Sequence, residues 1–201
     1  MYPSPITNAA AWMLLLEAEM RKHVAEAKAN FGTLTTEQLY GHYQDGKWSL
    51  AELLCHMTRA GEAWLPRLEQ AIKHSKPVEK PLRGHRHSRA GGRLLAQLQS
   101  EKPLKAPRPL HPKQGLAQLP DRDTLLKNFC KTQLSIADLM AGAIMLDLQH
   151  THLRLPTSRL LRYNLGDAFA IHTYHVRRHL KQAYEGIRMP DFPHPEHEPA
   201  S

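Results

Sequence analysis

Residues 164–187 carry three histidines whose spacing could hold a metal ion. If the stretch is a helix, His175 and His179 lie about 40° apart on the helical wheel, one turn above the other. Two imidazoles placed i and i+4 on one helix can grip a single ion. His172 falls about 20° from His179 on the same wheel. Leu165, Phe169, Val176, Leu180, Ala183 and Ile187 form an apolar stripe, and the histidines run along its margin. A pair supplies only two ligands, so a third must come from another element. A polar margin on a bundle helix has the same spacing, and spacing by itself leaves both readings open.

The candidate third ligand is His56. It lies on the margin of a second stripe made by Leu50, Leu53, Met57, Ala60, Trp64, Leu68 and Ala71. Three neutral imidazoles on two helices would bind a divalent first-row ion and leave coordination positions open. Nickel and zinc both suit imidazole, and the ligand types do not choose between them. Such an ion can acidify a bound water into a nucleophile, or hold a thiol as the attacking thiolate. Glu52, one turn before His56, is a candidate base. Its simpler role is the capping box with Ser49 that starts the helix. His172 is a candidate supporting group, proton carrier or alternative ligand.

The elements that must position these residues follow from periodicity. Residues 1–7 are a Pro-rich lead-in. Trp12, Leu16, Met20, Val24, Ala27 and Phe31 recur at helical intervals over 8–31, with His23 at the edge of that face as a hydrogen-bonded structural histidine. Polar and turn residues fill 33–48, including one helical turn near Thr35–Leu39. The second helix covers 50–73. Seven prolines and Gly91-Gly92 interrupt 74–120, leaving a short helix over about 93–100. Asp121 caps a third helix running to about Leu148, with Leu125, Phe129, Leu134, Ala137, Ala141 and Ile144 facing inward. A loop over 149–163 holds His150 and His152. Asn164, with Asp167 three residues on, caps the fourth helix. The Pro-rich residues 190–201 form a flexible surface tail after a single domain over 1–189. No segment alternates at period two. The pattern is all-α, a four-helix bundle in which facing helices can bring His56 to His175 and His179.

Charge is concentrated in one place. The formal net charge is +8, yet residues 73–113 hold eleven Lys or Arg against Glu79 and Glu101, and the rest of the chain is close to neutral. His85, His87 and His111 lie in this basic insertion at spacings that match no metal motif, and read as solvated. No apolar run approaches the ~20 residues of a membrane span. No basic-then-apolar leader opens the chain, so a cytoplasmic protein is expected. Cys55 and Cys130 fall in amphipathic helices and read as free thiols rather than a disulfide.

Two motifs together carry a family resemblance. The stretch Lys47-Trp48-Ser49-Leu50-Ala51-Glu52-Leu53-Leu54-Cys55-His56-Met57 resembles the second-helix motif of the DinB/YfiT-like superfamily, where a Trp-Ser/Thr pair precedes a metal-binding histidine. Leu165-Gly166-Asp167 followed by His175-Val176-Arg177-Arg178-His179-Leu180-Lys181-Gln182 resembles its last-helix motif. The resemblance spans roughly residues 8–188. It implies a helical bundle with His56, His175 and His179 as a three-histidine site for nickel or zinc, frequently in a homodimer. Some relatives are thiol S-transferases or thiol-dependent isomerases. The long basic insertion is a departure from compact members.

The expected function is a metal-dependent enzyme, hydrolase-like or thiol S-transferase-like, acting on a small molecule, for instance a thiol. The alternative is a binding module whose basic insertion contacts nucleic acid or another polyanion. The insertion offers no aromatic side chain between residues 73 and 113 for stacking bases, which counts against single-strand recognition.

Overall fold

The computed structural model describes residues 8–43, 45–81, 83–112, 119–157 and 161–193. The lead-in 1–7 and the tail from 194 lie outside these residues.

Four long helices make the bundle: α1 (Ala9–Phe31), α3 (Leu50–His74), α5 (Arg122–Gly142) and α6 (Leu165–Ile187). Helix α1 packs on α5 and α6, and α3 packs on the same two, so the four surround one core. Each helix starts where the sequence offers an oxygen to its first free amides. Asn8 accepts from Ala11, Asp121 from Thr124, and Asn164 from Asp167. Ser49 and Glu52 close a reciprocal capping box at α3. Thr35 and Gln38 do the same for the short α2 (Thr36–Tyr40). Met13, Met20, Phe31, Met57, Leu68, Phe129, Ile136, Met140 and Phe169 are fully buried between the helices.

Three expectations change. Helix α5 stops at Gly142 rather than near Leu148. Beyond it, Asp147 donates to the Lys76 carbonyl, and Val78 donates to that of Met145. The chain leaves the helix to pair with the segment that follows α3. The buried face of α5 also rotates away from the expected one: Gln133, Ile136 and Met140 face inward, while Ala141 is exposed. The connection expected to be a loop contains an antiparallel pair, β1 (His152–Arg154) and β2 (Arg162–Asn164). Three-residue strands are too short to reveal a period of two. His150 is exposed and bonds Asp147, and His152 lies exposed on β1.

The insertion is packed over most of its described length. Helix α4 (Arg89–Gln99) starts earlier than expected, capped by Ser88, and buries Leu95 and Leu98 along α6. Arg178 of α6 donates to the carbonyls of Leu98, Ser100 and Lys102, fastening the end of α4. Beyond the expected domain limit at 189, Phe192 is buried and meets Tyr43 edge-on at 5.1 Å. The two thiols, Cys55 and Cys130, are free. Among the described residues, no helix is long and apolar enough to cross a membrane.

Candidate metal centre

Helices α3 and α6 meet where α3 carries His56 on its second turn. His56 Nε2 lies 3.0 Å from His175 Nε2. The ring centroids are 4.9 Å apart for His56 and His175, 4.7 Å for His56 and His179, and 4.6 Å for His175 and His179. One ligand nitrogen from each of the three lies within 4.8 Å of the other two. His56 is buried; the other two are half-buried.

Hydrogen bonds orient two of the rings. His56 Nδ1 is 2.7 Å from the Leu110 carbonyl, which can only accept, so Nδ1 carries the proton and Nε2 a lone pair. His179 Nδ1 is 2.7 Å from Gln182 Oε1, and the same argument leaves Nε2 of His179 with its lone pair. Carbonyl and carboxamide partners on the far nitrogen are how metal-bound histidines are commonly held. Burial lowers the pKa of all three, with neighbouring imidazoles adding to the effect on His175 and His179; His179 falls to about 3. All three are therefore neutral at pH 7, the form that binds metal. Two imidazole nitrogens that share a zinc ion at about 2.0–2.1 Å in tetrahedral geometry stand about 3.3 Å apart, close to the His56–His175 separation. The residues fit a divalent ion by donor type, protonation and spacing.

The walls come from unexpected places. Trp48, just before α3, lies 4.9 Å from His56 and stacks at 24° over His179. His111, from the far end of the insertion, meets Trp48 edge-on at 5.5 Å. Arg59 donates to the His111 carbonyl at 2.8 Å and so helps hold this cover over the end of His56. Nothing in the local sequence pairs residues 108–112 with α3; only the fold brings them there. A cleft of about 540 Å³ adjoins the cover, lined by Arg59, Glu62, Arg108, Leu110, Pro156 and Thr157. It shares Leu110 with the histidine cluster but none of the histidines.

The two weaker candidates stand apart from this cluster. His172 is fully buried and bonds Gln133 Oε1 at 2.7 Å; its ring centre is 6.5 Å from that of His175. Burial depresses its pKa to about 3. Gln133 in turn donates to the Met57 carbonyl, so His172 stiffens the helix contact behind the cluster. Glu52 Oε2 accepts from the Ser49 amide and pairs with His42, each at 2.9 Å, which is the capping role. His23 is buried and bonds Glu19, the structural role expected of it.

One expectation fails outright. His85 is not solvated: its side chain is 2 % exposed and faces Asp167, together with His87. Asp167 is 80 residues further along the chain, beyond the reach of any spacing rule.

A helical bundle brings three neutral imidazoles from two helices together in a group that could hold a metal ion. The chain belongs to the DinB superfamily, whose model matches residues 8–183. No curated protein and no solved structure matches it.

Proposed function

We propose that the protein is a metal-dependent enzyme whose ion, nickel or zinc, is held by His56, His175 and His179. The observation that carries this reading is the 3.0 Å approach of His56 Nε2 to His175 Nε2 inside a cluster of uncharged imidazoles. An ion bound there would lower the proton affinity of a bound water or thiol, serving hydrolysis or thiol transfer. The protein's own groups do the rest. Leu110 and Gln182 fix the ring orientations, and Trp48 with the 108–112 segment shields one side from bulk water. Arg59 and Arg108 beside the adjoining cleft favour a small anionic substrate or thiol. Family resemblance also supports a homodimer, which light scattering on purified protein tests.

Metal analysis of tag-free protein tests the site. His175→Ala is expected to carry one equivalent less than wild type. Equal metal content in the two proteins refutes the assignment.

A second reading keeps some support. The ten basic residues of 73–112 are all exposed, so the packed insertion presents a cationic face. If that face binds nucleic acid, gel shifts with DNA or RNA weaken steeply with salt. No shift at low salt removes this reading.

A further inference from the structure

The cluster of His85, His87 and Asp167 lies at the start of α6, built from the insertion and the helix end. We infer that it is a second divalent-metal site, with His85 Nε2, His87 Nδ1 and one Asp167 oxygen as ligands. It is independent of the three-histidine centre.

The placement is constructed rather than incidental. Asp167 is fully buried, and its two oxygens are used differently. Oδ2 accepts from the Ser88 amide at 2.9 Å. Oδ1 faces both imidazoles, 2.7 Å from His87 Nδ1 and 3.4 Å from His85 Nε2. The loop is held from below as well, because Asn164 donates to the Arg86 carbonyl at 3.1 Å. Trp12 stacks on His85 with centroids 4.4 Å apart and planes 5° from parallel. Two glycines make the room: a Cβ on Gly166 would collide with the His85 ring, and one on Gly91 with the Asp167 carboxylate.

A hydrogen-bonded staple alone does not account for His85. Its ring is buried, and Nε2 stands 3.4 Å from its acceptor. That distance is long for an N–H···O bond. It is close to the about 3.3 Å that separates two ligands on one tetrahedral ion at about 2.0–2.1 Å. One ligand atom from each of the three residues lies within 4.8 Å of the other two. His87, 39 % exposed, provides the entry path. Its 2.7 Å contact is a hydrogen bond before the ion arrives. On binding, the Nδ1 proton is exchanged through water to the other ring nitrogen, and the lone pair goes to the ion. Two imidazoles and a carboxylate suit zinc and its first-row neighbours, and leave positions for water. The consequence is a clamp: the ion would tie the basic insertion to the helix that also carries His175 and His179.

The test is zinc stoichiometry by equilibrium dialysis and elemental analysis on tag-free full-length protein. Wild type is expected to bind two equivalents. His87→Ala, which changes an exposed ring, and His175→Ala are each expected to bind one. The double variant is expected to bind none. Asp167→Asn serves as a second probe, its folding checked by circular dichroism. In the His175→Ala background, cobalt(II) is expected to quench tryptophan emission through Trp12, and His87→Ala to abolish that quenching. If His87→Ala keeps the wild-type stoichiometry, or if wild type binds one equivalent that His175→Ala removes, the cluster is a hydrogen-bonded staple and the inference fails. The second outcome would leave the three-histidine centre intact, so the two assignments fail separately.

Discussion

Acidifying the metal-free protein should destabilise it, and by an amount the buried histidines set. His172 and His179 have pKa values lowered to about 3, and that of His175 is lowered well below its ordinary value, chiefly by burial. In the unfolded chain each returns to about 6.5. Between these values the unfolded state binds more protons than the folded state, so stability rises with pH and is lost as pH falls below about 6.5. At about pH 5.5 an unfolded histidine is protonated about ten to one, which favours unfolding by about 1.4 kcal/mol relative to about pH 8. Three such rings give at most about 4 kcal/mol, a large share of the about 5–15 kcal/mol that stabilises a typical domain. The depressed carboxylates, Asp167 among them, titrate lower and add little in this window. Urea unfolding in the presence of a chelator at the two pH values measures the difference. The double variant His175→Ala/His179→Ala should lose about two-thirds of it. A wild-type stability that is flat across the window, or a difference unchanged in the double variant, would refute the claim that these rings are buried in neutral form.

Other consequences are more local. His56→Ala and His179→Ala should each abolish binding at the three-histidine centre, seen as a smaller rise in Tm on adding zinc or nickel; an undiminished rise contradicts the ligand set. Ser49→Ala removes the oxygen that caps α3 and should cost about 1 kcal/mol in denaturant unfolding, with His56 still able to bind metal. Phe129→Ala empties a fully buried position on α5 and should cost about 3–5 kcal/mol; a loss under about 1 kcal/mol would mean the α1–α5 seam is looser than described. Gln182→Ala frees His179 Nδ1 and should weaken metal affinity about 10- to 100-fold while leaving stability nearly unchanged, which titration calorimetry resolves.

Much was legible in the chain because it depends on neighbours in sequence. Helical periodicity marked α1, α3, α5 and α6, and Asn164, Asp121 and the Ser49–Glu52 pair marked where three of them begin. These signals act within one or two turns, where the hydrogen bonds and buried faces are local. The i, i+4 spacing of His175 and His179 likewise follows from the pitch of one helix. That His56 faces them depends on how α3 and α6 pack. The sequence suggested this only through a matching motif on a second helix.

What tertiary structure alone decided is long-range. Asp167 draws His85 and His87 out of an insertion that reads as a charged loop, because a buried carboxylate needs partners and the amide that bonds it, Ser88, comes from the same insertion. Leu110 and His111 reach the three-histidine cluster from more than 50 residues away in sequence. The early end of α5 has the same cause: carbonyls and amides after Gly142 find partners beside Lys76 and Val78 that no helix could offer them. Composition and periodicity encode what a segment does with its own backbone. Which segments then satisfy one another's buried polar groups is a property of the packed whole.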